Sequence, residues 1–247
     1  MGTPWVRIVR AWAKKYGIKA ILFDLDDTLI KVRELFYKRM DESIDFICSW
    51  YPKLDKEQLK KRQGEINTEL FFQYSVDPKR WVATYKQLQA EFPGVSSEIW
   101  KEALRIVFLV YTDIPEVFEG AVEVLTLLQQ AGITCVLVTH ASIEWTAFKL
   151  EVTGLGVFFD HVVCISPAEF KTLEAWVSGA KAARVSVEEV AAIGDNLKGD
   201  IESARKAGIK LLFWIKNKEA WSVYLSGTVP EGTLVIGEIG EFLKCLA

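Results

Sequence analysis

Acidic residues follow directly after a short apolar run near the start of the chain. The run covers residues 20–23, and Asp24, Asp26 and Asp27 come next. In an extended segment, side chains two positions apart leave on the same side, so Asp24 and Asp26 could act on one reacting group. Taken alone, these acids could also do no more than cap a turn and the start of a helix. The rest of the chain has to decide between a reactive site and a structural turn.

Polar residues stand at the ends of two later apolar runs. Thr139 follows residues 133–138, and its hydroxyl can donate a hydrogen bond to a phosphate oxygen. Lys171 comes shortly after residues 158–164 and can bring a positive charge to a phosphoryl group. Neither residue is specific alone, because a threonine after a strand is usually a helix cap and most lysines lie at the surface. Their common placement at strand ends is what indicates a phosphate site.

Two more acids follow a fourth apolar run. Residues 190–193 lead into Gly194, Asp195 and then Asp200. Glycine permits a tight backbone turn, and the carboxyl ends of parallel strands form the edge at which ligands bind. Carboxylate oxygens from Asp24 and Asp195 are the ligands that a hard cation such as Mg²⁺ prefers. We therefore expect a Mg²⁺ site at this edge of a sheet.

Strand and helix patterns alternate over most of the chain. Besides the four runs above, residues 211–215 and 234–236 are apolar and short enough to be buried strands. Segments with helical spacing precede Gly132 and Gly208, and glycine is common where helices end. Alternating strands and helices favour a parallel sheet covered on both faces. The sequence thus predicts an α/β fold with a three-layer, Rossmann-like core.

The segment from about residue 31 to residue 114 breaks this alternation, because its apolar residues keep helical spacing throughout. These residues are, in order, Met40, Ile44, Ile47, Tyr51, Ile66, Leu70, Tyr74, Trp81, Tyr85, Leu88, Ile99, Ala103, Val107 and Val110. Prolines separate the helical stretches. We predict an all-helical cap domain at residues 31–114, inserted into a core domain made of residues 1–30 and 115–247.

Composition and charge narrow the class of protein. Half of the 247 residues are hydrophobic, which is enough for a sizeable core, and the net charge of -3 gives no field that would attract nucleic acid. No run approaches the roughly 18 to 20 apolar residues of a membrane span. The four cysteines lack metal-ligand spacing, which favours reduced thiols and a cytoplasmic location. The expected partner is a small substrate, and a homo-oligomer is possible.

An amphipathic helix is predicted at the N-terminus. Trp5, Trp12 and Tyr16 recur there at helical spacing, with basic residues between them. We expect this helix to dock on its own core. Contact with a membrane surface or a role in assembly is the alternative.

Together the polar residues at the strand ends resemble the haloacid dehalogenase superfamily, and in particular its phosphatases with a helical cap inserted after the first strand. All four motifs of that superfamily occur in order, carried by Asp24, Asp26, Thr139, Lys171, Asp195 and Asp200. The resemblance covers residues 18–30 and 115–247, whereas the cap matches only in position and helical character. His140 and Thr172 stand where many relatives have a small polar residue and a proline, but neither change removes a catalytic group.

The resemblance implies a two-step reaction. Asp24 is expected to attack phosphorus and form an aspartyl-phosphate. Asp26 is expected to protonate the leaving oxygen and then to activate water. Mg²⁺ is expected to be held by the carboxylates of Asp24 and Asp195 and by the backbone carbonyl of Asp26.

The resemblance also implies contacts around the phosphoryl group. Lys171 is expected to be catalytic by holding the transferring oxygens together with Thr139. Thr28 and His140 complete the predicted substrate contacts, although a single histidine is more often structural. Asp200 is expected to orient Lys171 or the waters of the metal without being a primary ligand.

Asp26 also bears on the type of reaction. Dehalogenases of this superfamily need no acid for a departing halide and typically lack the second aspartate, so phosphate chemistry is favoured. We expect Mg²⁺-dependent hydrolysis of a small phosphorylated metabolite. A phosphomutase of the same superfamily and a non-catalytic phosphate-binding module are the alternatives.

Overall fold

The structure of the chain, a computed structural model, describes residues 4–217 and 220–246. It divides into two compact units. The first unit contains Met1–Lys31, Pro115–Ser166 and Phe170–Ala247, and the second contains Val32–Ile114 and Pro167–Glu169. Each unit has a hydrophobic core of its own.

Strands lie in the first unit, and helices lie in both. Among the described residues, the strands in chain order are β1 Ala20–Phe23, β2 Ile30–Lys31, β3 Glu116–Val117, β4 Thr134–His140, β5 His161–Ile165, β6 Val190–Gly194, β7 Leu211–Ile215 and β8 Leu234–Ile236. The α-helices in chain order are α1 Pro4–Tyr16, α2 Arg33–Trp50, α3 Lys56–Tyr74, α4 Lys79–Glu91, α5 Ser97–Phe108, α6 Ala121–Ala131, α7 Ile143–Thr153, α8 Leu173–Ala182, α9 Ser203–Lys206 and α10 Ser222–Leu225. β2 and β3 form a small antiparallel pair.

Six parallel strands form the main sheet, in the order β5-β4-β1-β6-β7-β8. β1 lies inside the sheet, and its last residue, Phe23, pairs with Leu137 of β4 and Ile193 of β6. The chain runs outward from β1 to β4 and β5 and then returns to β6 on the other side of β1. A reversal of strand order of this kind opens a crevice at the carboxyl ends of the two central strands. Residues that follow β1 and β6 therefore share this crevice.

Helices cover both faces of the sheet. On one face, Trp176 of α8 and Ile201 belong to the same core cluster as Leu22 of β1. On the other face, Trp12 of α1 meets Phe213 of β7, with the ring centroids 6.3 Å apart. Strands covered in this way are apolar on both sides, which explains their continuous hydrophobic runs. The predicted α/β fold with a three-layer core is confirmed.

The N-terminal helix α1 docks on this core through one side. Val9 and Trp12 are buried, and the ring of Trp12 meets that of Phe242 edge-on, with the centroids 5.9 Å apart. Tyr16, at the end of the helix, is half exposed. The predicted docking is therefore confirmed. Among the described residues, no helix combines the length and the apolar character needed to cross a membrane.

The second unit is built from α2, α3, α4 and α5, as the helical spacing of the insert predicts. Apolar residues of these helices, such as Ile44 and Ile66, form one buried cluster. A polar group lies inside it, where Nε2 of Gln63 donates to the hydroxyl oxygen of Tyr85 at 2.5 Å. The hydroxyl of Ser43 shares a hydrogen bond with the same oxygen. These hydrogen bonds link α2, α3 and α4 through the hydroxyl group of Tyr85.

The limits of β4 differ from the prediction. The strand extends to His140, because its register with β5 pairs Thr139 with Cys164 and His140 with Ile165. The prediction that Thr139 comes after the strand is therefore wrong: it lies within β4, one residue before its end.

The start of β5 differs as well. Phe158, predicted to begin the strand, lies in a 3₁₀ segment, Leu155–Phe158, and the strand begins at His161. The carboxylate of Asp160 accepts a hydrogen bond from the backbone N–H of Cys135 at 2.9 Å. The backbone N–H of Asp160 also donates to the carbonyl oxygen of Cys135 at 2.9 Å, so Asp160 joins β4 through one backbone and one side-chain bond just before β5 begins.

Candidate functional site

Four buried residues meet at the carboxyl edge of the sheet. Asp24 follows β1, Lys171 lies between β5 and α8, and Asp195 follows β6. Asp200 lies in the next segment, the π-helical turn Leu197–Glu202. Each of the four residues is at most 7% exposed. The structure thus brings together residues from three strand ends that the sequence separates widely.

The ammonium group of Lys171 is held between two carboxylates. Nζ lies 2.8 Å from Oδ1 of Asp24 and 2.7 Å from Oδ1 of Asp200. It also lies 4.7 Å from the ring centroid of Trp176, whose face attracts a cation. Burial lowers the pKa of Lys171, but the charges of Asp200 and Asp24 outweigh burial, so the pKa is raised. Lys171 is therefore a fixed positive charge beside Asp24.

Three carboxylates lie near this one ammonium group, and two of them, Asp24 and Asp200, contact it. Oxygens of Asp24, Asp195 and Asp200 lie within 4.8 Å of one another. Burial, and then the charges of Asp27, Asp24 and Asp200, raise the pKa of Asp195 well above its usual value. Burial likewise raises the pKa of Asp200 to about 6. When all three carboxylates are ionised, their negative charge exceeds what Lys171 can neutralise.

One oxygen of this cluster lacks a partner. Oδ2 of Asp195 is buried and has no hydrogen-bond partner among the residues that the structure describes. Native proteins rarely leave such an atom unsatisfied, and an oxygen-liganded divalent cation would both contact it and balance the charge. The residues present therefore fit Mg²⁺. The backbone carbonyl of Asp26 as a further ligand stays a prediction.

Local backbone structure sets the position of Asp200. Its Oδ2 accepts a hydrogen bond from the N–H of Asn196 at 3.0 Å, and the Asn196 side chain in turn accepts one from the N–H of Gly199. A Cβ atom on Gly194 would overlap the carboxylate of Asp200. Gly194 is the last residue of β6 and has no positive φ. Its expected role in a tight turn is therefore wrong, because it instead leaves room for a side chain.

Asp26 forms a second ion pair, with a residue that the sequence did not suggest. Nζ of Lys149 lies 2.5 Å from Oδ1 and 2.7 Å from Oδ2 of Asp26. Lys149 is on α7 and only 1% exposed, and its Nζ lies 3.8 Å from the ring centroid of Trp145. Burial raises the pKa of Asp26, whereas the positive charge of Lys149 lowers it. The negative charge of Asp24 raises it further, so the pKa of Asp26 is higher than usual. A raised pKa is typical of a carboxyl group that donates a proton.

The three predicted substrate contacts have different surroundings. Thr28 is 1% exposed, and its Oγ1 has no hydrogen-bond partner among the described residues. Thr139 is also 1% exposed and lies within β4. His140 is half-buried at the end of the same strand. Contact of these three residues with substrate stays a prediction.

A family model described as haloacid dehalogenase-like hydrolase matches residues 18–208, which is more than half of the chain. The chain belongs to this family. The match begins just before β1 and extends past Asp195 and Asp200, so it includes every residue of the buried cluster.

Individual proteins are similar to this chain over most of their length. A pyrophosphatase, PpaX, from Halalkalibacterium halodurans is 28% identical over 200 residues, which cover 78% of this chain and 81% of the relative. The 5-amino-6-(5-phospho-D-ribitylamino)uracil phosphatase YigB of Escherichia coli is 24% identical and covers 81% of this chain and 84% of its own. A haloacid dehalogenase-like hydrolase from Xanthomonas campestris superimposes with a TM-score of 0.71 at 16% identity, with 93% and 94% of the two chains covered. The similarity to this solved structure shows that the two proteins share a fold.

Sequence reasoning missed Lys149, although one signal was present. Trp145 and Lys149 are four residues apart on the helix that follows Thr139, so they lie on one side of that helix. A lysine four residues after a tryptophan on a helix can place its ammonium group over the ring. The partner of that cation could not be named, because Asp26 is 123 positions away in sequence.

Proposed function

We propose that this chain is a Mg²⁺-dependent phosphatase that hydrolyses a small phosphorylated metabolite through an aspartyl-phosphate on Asp24. The observation that carries the proposal is the buried cluster of Asp24, Asp195 and Asp200, of which Asp24 and Asp200 contact Lys171. This cluster lies at the carboxyl edge of the sheet in a haloacid dehalogenase-like hydrolase. An acid-rich site with one fixed cation is suited to bind a metal ion and an anionic phosphoryl group together.

The first step forms the intermediate. A carboxylate oxygen of Asp24 attacks phosphorus, a new P–O bond forms, and the bond from phosphorus to the ester oxygen breaks. The leaving oxygen takes both electrons of that bond and receives a proton from Asp26. The products of the step are an alcohol, phosphorylated Asp24 and the carboxylate of Asp26.

The second step returns the enzyme to its starting state. Asp26, now ionised, takes a proton from a water molecule as that water attacks phosphorus. The bond between phosphorus and the oxygen of Asp24 breaks, and inorganic phosphate is released. Asp26 is then protonated again, so the two steps balance. Throughout both steps, Lys171 supplies positive charge to the transferring oxygens and keeps Asp24 in place.

Asp24 and Asp195 would hold Mg²⁺ through their carboxylates, and Asp26 through its backbone carbonyl. When bound, the ion cancels negative charge that would otherwise keep an anionic nucleophile away from an anionic phosphate. The unpartnered Oδ2 of Asp195 supports this assignment. Asp200 has the geometry of a positioning residue, since its carboxylate contacts the same ammonium group of Lys171 that contacts Asp24.

The names of the relatives support phosphate chemistry. One is named as a pyrophosphatase and another as a phosphatase of a phosphorylated ribitylamino-uracil. Both names describe cleavage of a bond to phosphorus, as the second carboxylate, Asp26, also suggests. Pyrophosphate and the phosphorylated ribitylamino-uracil are the first substrates to test, followed by sugar phosphates and nucleotides.

The proposed function is tested by phosphate release from an aryl phosphate and from this panel, with and without Mg²⁺. Wild type should require Mg²⁺, and Asp24→Asn should lose at least about 1,000-fold in rate because it has no nucleophile. Asp41→Asn is the matched control, since Asp41 is an exposed acid paired with Lys60 in the helical unit. Full activity of Asp24→Asn would show that Asp24 is not the nucleophile. Isomerised sugar phosphate without phosphate release would indicate a phosphomutase instead.

A further inference from the structure

Lys149 and Asp26 form an ion pair that uses both oxygens of the carboxylate. The two distances from Nζ are 2.5 and 2.7 Å, so one ammonium group fixes the carboxylate in position and in rotation. The side chain of Asp26 is 26% exposed, whereas that of Lys149 is 1% exposed. The lysine thus reaches Asp26 from inside the protein, and part of the Asp26 side chain stays exposed.

The surroundings of Lys149 hold its ammonium group in place. Nζ lies 3.8 Å from the ring centroid of Trp145, one turn earlier on α7. A cation is attracted to the face of an aromatic ring, so Trp145 and Asp26 together restrict where the ammonium group of Lys149 can lie. Because the ammonium group of Lys149 is held in place, the carboxylate of Asp26 that accepts its hydrogen bonds is held in one orientation.

A contribution to folding stability does not explain the ion pair between Lys149 and Asp26 well. Removing the charge of a lysine from water is unfavourable, and apolar residues often replace buried ion pairs with no loss of stability. Asp26 is also the carboxylate that the proposed function assigns to proton transfer. A buried cation aimed at that carboxylate is therefore better explained by its effect on the reaction.

We propose that Lys149 is a positioning residue for Asp26: it orients the carboxyl group towards the leaving oxygen and stabilises the carboxylate that remains after proton transfer. The inference rests on the proposed function, in which Asp26 is the proton donor. Lys149 itself contacts no reacting atom in this scheme. Its effect on rate passes entirely through Asp26.

The inference is tested with a series of aryl phosphates whose leaving groups range from acidic to basic phenols. An acidic phenol leaves without a proton, whereas a basic one needs the proton from Asp26. Lys149→Met should lower kcat/KM for the most basic leaving group by at least about tenfold, and the loss should vanish towards the most acidic one. Lys149→Arg, which keeps the charge, should recover most of the rate. An equal loss over the whole series would overturn the inference, because it would indicate general damage to the fold.

A double-mutant cycle tests whether Lys149 acts through Asp26. In the Asp26→Asn background, Lys149→Met should cause no further loss, since the group that it positions is already gone. A further loss of the same size as in wild type would overturn the inference. Lys19→Met is the matched control, because Lys19 pairs with Glu189 at 2.5 Å just before β1, at the opposite edge of the sheet. This control should leave kcat/KM unchanged.

A replacement variant and two comparisons distinguish failure of the inference from failure of the proposed function. If Lys149→Met does not fold, as judged by circular dichroism, Lys149→Gln replaces it with the same expected dependence on the leaving group. If Asp26→Asn shows that dependence and neither lysine variant does, the inference fails while the proposed function stands. If wild type releases no phosphate from any substrate, the proposed function itself fails.

Discussion

Gly194 leaves the space that the side chain of Asp200 occupies. A Cβ atom on Gly194 would lie 2.5 Å from Cβ of Asp200, far inside the distance at which two carbon atoms can pack. Asp200 in turn holds Lys171, whose ammonium group also contacts Asp24. A single missing methyl group at the end of β6 therefore affects the position of the proposed nucleophile.

Gly194→Ala should disturb this arrangement. We expect a loss of about 1–3 kcal/mol in the free energy of unfolding, as for other overpacked sites. Activity should fall about 100-fold, because displacement of Asp200 also displaces Lys171. Chemical denaturation and phosphate release measure the two effects.

Gly64→Ala is the control. Gly64 is in α3 with no atom within 4 Å of an added Cβ, so the free energy of unfolding should stay equal or rise. Unchanged activity of Gly194→Ala would contradict the role of Asp200.

Asp195→Asn should stabilise the metal-free protein and abolish the stabilisation by Mg²⁺. In the presence of a chelator, the variant should be more stable than wild type, because it removes one of three buried carboxylates. Mg²⁺ at ten times its Kd should stabilise wild type by about 1.4 kcal/mol and leave the variant unchanged. Denaturation curves with and without Mg²⁺ measure this without any substrate. An equal Mg²⁺ effect on both proteins would exclude Asp195 as a ligand, whereas Asp41→Asn should respond like wild type.

Asp200 should make the metal-free protein less stable as pH rises. Its pKa in the folded state is about 6, above the usual 3.8, so the folded state binds more protons than the unfolded state between these values. The contribution of Asp200 to stability is therefore largest below pH 3.8 and is lost as pH rises to about 6. The measurement is the free energy of unfolding of wild type minus that of Asp200→Asn, in chelator, across this range. A difference that grows with pH would contradict the raised pKa.

Asp24 and Asp195 could be placed from sequence because each directly follows a short apolar strand. Parallel strands end at a common edge, so residues just past β1 and β6 had to meet once the alternation of strands and helices was recognised. Lys171 was less certain, since several residues separate it from β5. In each of these cases, local pattern and general topology were sufficient.

Lys149 and the role of Gly194 could not be found in this way. Lys149 meets Asp26 across 123 positions, and its contact depends on how α7 packs, which helical spacing does not specify. Gly194 resembles a turn glycine in sequence, and only the folded position of Asp200 shows which side chain it accommodates. Thr139 illustrates a third limit, because pairing with Cys164 extends β4 beyond its apolar run.

Asp26→Asn should trap the intermediate on Asp24. With an aryl phosphate that has an acidic leaving group, the first step needs no proton and should proceed, whereas the second should slow about 100-fold because no base takes a proton from water. Phosphorylated protein should then accumulate, and intact mass followed by fragmentation should locate the phosphoryl group on Asp24. Asp24→Asn combined with Asp26→Asn should show no adduct. Slow turnover without an adduct, or an adduct on another residue, would contradict the two-step scheme, since the scheme allows the phosphoryl group no other covalent position.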